Sequence, residues 1–102
     1  MGERIITISE IKRAVAEAFG VDIALVDGSL RKRTRHAADA RMSAMFFTRR
    51  ITGLSYPKIG KEFLRTSPTA IYAHRVVGER IYLDWVFGEC VKKSAKKLGV
   101  EL

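Results

Sequence analysis

The stretch 54–77, LSYPKIGKEFLRTSPTAIYAHRVV, constrains this chain most, because both of its prolines lie there and each follows closely on a serine. A serine hydroxyl can cap a helix start, and a proline in the first turn loses no needed amide hydrogen while its φ is already set for helix. Ser55 with Pro57 therefore predicts one helix start, and Ser67 with Pro68 a second. In the first helix Ile59 and Phe63, four apart, make one apolar face, and Gly60 beside them leaves room for a neighbouring backbone. Leu64, Arg65 and Thr66 are short and polar enough to be the turn. The second helix puts Ala70, Ile71, His74, Val77 and Ile81 on one side, and Pro68, Thr69, Tyr72, Arg75 and Val76 on the other. That layout predicts a helix-turn-helix, with the N-terminal half of the outer face as the reading surface. A plain αα-hairpin in a small bundle gives the same local signals.

Charge favours the first alternative. Residues 31–75 hold eleven Lys or Arg (Arg31, Lys32, Arg33, Arg35, Arg41, Arg49, Arg50, Lys58, Lys61, Arg65, Arg75) against Asp39 and Glu62, a net of +9 in a chain of +8. The remainder is close to neutral, so the basic excess belongs to the segment that carries the helix-turn-helix. Such a field costs self-repulsion without helping the fold, and it is the footprint that a phosphate backbone selects.

At 102 residues with 47% apolar content, the expectation is a single domain around one core. No run of 18 apolar residues exists, MGERIITISE is too polar for a signal peptide, and Thr7 and Ser9 miss the position a myristoylation motif requires. The single Cys90 excludes an internal disulfide, fits a reducing cytoplasm and reads as a small hydrophobe on a helix face. The expected location is cytoplasmic and nucleoid-associated.

The other elements read as helical. Ser9 or Thr7 caps a helix carrying Ile11, Val15, Ala18 and Phe19 that Gly20 ends, and Asp22 caps a short turn over 23–26 closed by Asp27 and Gly28. Residues 29–36, SLRKRTRH, lack apolar periodicity and read as a basic loop. A helix over 37–52 follows, apolar almost all round and therefore central, with Ala40, Ala44, Phe47 and Ile51 on one side and Met42, Met45 and Phe46 on another. Asp84 or a neighbour starts a last helix in which Trp85, Cys90, Val91, Ala95 and Leu98 alternate with lysines. One cysteine with His36 and His74 makes no metal-ligand pattern, no phosphate-binding GxxxxGK[ST] loop occurs, and the glutamates read as helix surface. No enzymatic activity, cofactor or metal is expected.

The order of a capped first helix, a short turn, a basic loop, a central helix and then SYPKIGKEF resembles the C-terminal DNA-binding domain, domain IV, of the bacterial replication initiator DnaA. The resemblance spans about residues 5–82, with ITISEIKRAVAEAFGV similar to that domain's start. It implies a compact all-α, Trp-repressor-like domain over 1–102, with a core at about 5–82 and an extra C-terminal helix at about 84–98. It also implies a basic-loop arginine in the minor groove, here Arg33, with Arg35 and Arg41 nearby. The start of the recognition helix would read bases, and the start of the preceding helix, here Tyr56 and Pro57, would hold backbone phosphates.

At the recognition helix the family signature Gly-Arg-Asp-His-Thr-Thr is replaced by Arg65-Thr66-Ser67-Pro68-Thr69-Ala70, which keeps only Thr69. Proline offers a base edge neither donor nor acceptor, so the initiator's own box is not the expected target. The expectation is a free-standing binder of double-stranded DNA, without the initiator's ATPase module, that controls replication initiation or transcription. Arg31, Lys32, Arg33, Arg35 and Lys58 would hold phosphates or the minor groove, and Arg65, Thr66, Thr69 and Tyr72 would probe the major groove beside Ser67. The competing reading is an interaction module that kept the fold and regulates a replication initiator or other replication protein, with Met42, Met45 and Phe46 as its contact strip. Neither reading involves a membrane.

Overall fold

The structure, a computed structural model, describes residues 5–32 and 34–102, which form the helices α1 (Ile8–Phe19), α2 (Ile23–Asp27), α3 (Arg35–Thr52), α4 (Tyr56–Glu62), α5 (Ser67–Arg80) and α6 (Trp85–Leu98). Four starts are held by the side chain just before the helix. Thr7, Asp22, Thr34 and Asp84 accept from the amides of Glu10, Ala24, Ala37 and Phe87 at 2.8–3.1 Å. Each bond satisfies an amide that has no partner inside its helix.

The cap at Thr34 moves one expected boundary. Arg35 and His36 form the exposed first turn of α3 rather than the end of the basic loop, which therefore spans only 29–34. An exposed first turn needs no apolar residues, so periodicity could not reveal it.

α3 is central and packs against α1, α2, α4 and α5, while α6 closes over α1. One continuous cluster joins Ile11, Val15 and Phe19 of α1 to Phe46 and Phe47 of α3, Ile59 and Phe63 around α4, Val77 of α5, and Phe87, Val91 and Leu98 of α6. The hydroxyls buried in this core are satisfied within their own helices: Ser43, Thr48 and Ser94 each donate to the carbonyl four residues earlier, at 2.7–2.9 Å. Met45 and Phe46 are buried and Met42 is half-buried. The contact strip imagined for them is core.

Two further expectations fail. Ile71 does not face inward, because the inner side of α5 is built from the small residues Ala70 and Ala73 together with Val77, and Ile71 falls beside that narrow stripe, 48% exposed. Trp85 opens α6 on its outer side, and Phe87 takes the inward place.

A charged staple locks the far end of α5. Arg80 donates to Asp39 of α3 at 2.8 Å and to Asp84 at 3.0 Å, and its guanidinium lies 4.1 Å from the Phe87 ring centre. The bonds to these two carboxylates hold the Arg80 guanidinium above its ordinary pKa, and the Phe87 amide with Arg80 holds Asp84 below the usual carboxylate range.

Candidate nucleic-acid interface

Between α4 and α5 the backbone turns within four residues. Phe63 ends α4, Leu64 takes a left-handed φ of 54°, and the Arg65 amide returns to the Gly60 carbonyl at 2.7 Å. Gly60 makes this possible, because a β-carbon there would lie 2.7 Å from the Arg65 carbonyl oxygen and 3.0 Å from the Thr66 carbonyl carbon. The backbone that glycine admits is thus the turn itself, not a neighbouring helix.

The serine-proline starts work differently from expectation. Ser55 occupies the cap position of α4 but its hydroxyl makes no capping bond, and the cap position of α5 is Thr66, not Ser67. The Thr66 hydroxyl pairs with that of Thr69 at 2.9 Å instead of with a backbone amide. The first-turn amides of Ser67 and Thr69 are therefore not capped by Thr66, and Pro68 has no amide hydrogen at all. An uncapped helix N-terminus carries partial positive charge and suits an anion.

Beside the turn lies an open notch of about 380 Å³ lined by Arg31, Lys32, Thr34, Ala38, Arg41 and Arg65. Its cations come from the basic loop, from α3 and from the helix-turn-helix turn. Arg41 is half-buried and its Nε is buried without an acceptor among the described residues. Burial first, then the nearby Arg65 and Arg31, push the Arg41 guanidinium below its ordinary pKa, and burial and Arg31 do the same to Arg65. The Arg65 guanidinium curls back toward its own turn, donating to the Leu64 carbonyl at 3.0 Å. Like charges brought together repel, so an anion held in the notch would relieve the strain.

Gly28 joins the loop to the turn. It has φ 91°, and a β-carbon there would lie 2.1 Å from the Phe63 carbonyl oxygen. Only glycine lets the residue that ends α2 and leads into the loop press against the end of α4. Gly28 and Thr34, which anchor the two ends of the basic loop, were not singled out from the sequence as site residues. The Asp27-Gly28 pair and a threonine three residues before Ala37 were their only traces.

The other candidates divide. Tyr72 stands half-exposed on the outer face of α5 with Arg75 over its ring at 5.8 Å, and Pro57 and Lys58 are exposed at the start of α4. Ser67 and Thr69 are half-buried at the start of α5. Tyr56 is engaged internally: its hydroxyl meets His74 Nδ1 at 3.3 Å, and Arg49, tied to the Leu54 carbonyl at 2.7 Å, lies over its ring. Arg35 lines a separate crevice with Asp39, Arg80 and Asp84. Arg33 lies outside the described residues.

A family model described as the bacterial DnaA protein helix-turn-helix matches residues 8–77. The chain belongs to this family. The match runs from the first residue of α1 to Val77, so it takes in the notch, the loop, all of α4 and α5 up to its last turn. The DnaA-type helix-turn-helix is a DNA-binding domain, and its all-helical architecture is the one found here. Arg80, the turn after α5 and all of α6 lie beyond the matched span. Among the described residues no three His, Cys, Asp or Glu side chains converge as a metal site, and no helix is long and apolar enough to cross a membrane.

Proposed function

We propose that this protein binds duplex DNA as a single helical unit, with the start of α5 in the major groove and the basic loop along the adjoining backbone and minor groove, and that it acts in the control of replication initiation or transcription at the nucleoid. The observation that carries this reading is the convergence of Arg31, Lys32, Arg41 and Arg65 on one notch next to the uncapped start of α5. Arg41 and Arg65 there hold phosphate, Thr69 and Tyr72 face the bases, and Lys58 reaches the backbone from α4. Arg33, placed by family resemblance, enters the minor groove. Tyr56 and Arg35 contribute by supporting the fold rather than by touching DNA. A role through a replication initiator as protein partner draws less support, since Met45 and Phe46 are buried.

The test is a fluorescence-anisotropy titration of duplex DNA at several salt concentrations. Neutralising four to eight phosphates gives a slope of log K against log[salt] of roughly −4 to −7. Replacing Ser67-Pro68 with Asp-His raises affinity for the initiator's box, because it restores a base contact worth about 1–3 kcal/mol of discrimination. Absence of any complex in low salt overturns the proposal.

A further inference from the structure

Four large apolar side chains stand exposed within five residues between α5 and the first turn of α6: Tyr82 at 80%, Leu83 at 83%, Trp85 at 78% and Val86 at 70%. The other exposed apolar residues, Ile5 aside, are covered by about half. The display is rigid. Leu83 and Asp84 amides both return to the Arg80 carbonyl at 3.0 Å, Ile81 is buried beneath, and Gly88 sits so close that a β-carbon would lie 2.5 Å from the Ile81 carbonyl oxygen. The Arg80 staple fixes the same turn from the other side.

We infer that residues 82–86 are the contact surface of a symmetric homodimer. The area is sufficient: with aromatic side chains offering about 150–250 Å² each, the four expose roughly 600 Å² per copy, or about 1,200 Å² for a pair. That reaches the lower bound of stable specific interfaces and lies at the upper end of the apolar patches usual on monomers. Charge does not oppose a second copy. The crevice beside Val86 holds Arg35 and Arg80 against Asp39 and Asp84, so this face is close to neutral in a chain of +8 and two copies meet here without the repulsion that the basic segment would bring. A nucleic acid finds no basic excess on this face.

The dimer also fits the DNA reading, on which only this consequence rests. α5 has 14 residues. At 1.5 Å per residue it spans about 20 Å, so copies joined beyond its C-terminal end place their reading ends on the order of 40 Å apart, near one turn of duplex. The protein would then bind two inverted half-sites about one turn apart.

Sedimentation velocity of the full chain without DNA, across about 2–200 μM, tests the association, since stable interfaces of this size reach micromolar affinity. The expected result is a rise from one copy to two. Emission from Trp85, the only tryptophan, moves to the blue over the same range as its ring is covered. Leu83→Glu places two charges at the symmetric contact and weakens association by about 100-fold or more, with unchanged far-UV circular dichroism. Trp85→Ser does so without adding charge. A protein that stays a single copy at the highest concentration, or a dimer that survives both substitutions, overturns the inference. Dimerisation without any DNA binding would instead remove the function proposed above and leave the dimer standing.

Discussion

Arg41→Met should stabilise the fold and weaken DNA binding together. Methionine keeps the buried aliphatic length while removing the charge and the Nε that has no acceptor. For like charges in partly screened surroundings, each repulsion from Arg31 and Arg65 costs about 0.5–1 kcal/mol, and an unsatisfied buried donor costs about 1 kcal/mol more. Part of that gain is offset by lost hydration of the guanidinium, leaving about 1–2 kcal/mol. For a domain of this size the midpoint of thermal unfolding then rises by roughly 5–8 °C in low salt. The gain shrinks in high salt, where repulsion is screened. Duplex affinity falls about tenfold, and the salt slope becomes shallower by about 1, the signature of one lost phosphate contact. Calorimetry and anisotropy on the same protein read both effects. A lower midpoint with an unchanged slope would show that Arg41 is a structural cation and refute the notch as an anion site.

Gly60→Ala and Gly78→Ala should change stability in opposite directions in urea unfolding. The new methyl at position 60 meets the Arg65 and Thr66 backbone and destabilises by about 1–3 kcal/mol, whereas at position 78 it finds only the Phe46 ring at 3.8 Å and gains roughly 0.5–1 kcal/mol of helix propensity. Asp39→Ala, by taking one carboxylate from Arg80, should lower stability by about 1–2 kcal/mol and loosen residues 80–84, read as faster amide exchange there. Acid should destabilise through His74, whose pKa is lowered by burial and then by Arg49 and Arg50. Below its unfolded value of about 6.5 the unfolded chain binds the extra proton, so stability is complete above that pH and falls as pH drops toward the lowered folded value, and His74→Gln should flatten the midpoint between pH 7.5 and 5.5.

Three of the four helix starts at which a polar side chain bonds its own helix's amide were legible: Asp22 could be named from the chain, Asp84 together with its neighbours, and Thr7 as one of two alternatives. The fourth, Thr34, was hidden because Arg35 and His36 carry no apolar signal. The Ser67-Pro68 pair points to Ser67 as the cap of α5, whereas Thr66 holds that position: two adjacent hydroxyls precede Pro68, and that of Thr66 pairs with the Thr69 hydroxyl rather than with an amide. Ile71 was placed on the wrong side because alanines line the inner face of α5 and carry little apolar signal. The basic segment was visible as composition, and the family resemblance that it supported agrees with the match over 8–77. Which cations meet was not visible. Arg31, Arg41 and Arg65 are brought together by three different elements, and no sequence spacing encodes that.

The contact of Gly28 with the Phe63 carbonyl has a consequence for how binding energies combine. The basic loop begins against the end of α4 and finishes at the Thr34 cap of α3, so its short segment is tethered at both ends to the body that carries α5. Once α5 engages a duplex, whatever the loop touches is met intramolecularly, at an effective concentration in the millimolar range or above. Contacts too weak to register as a separate peptide thereby count in full. Lengthening the loop by a few flexible residues would dilute that advantage without deleting a single contact.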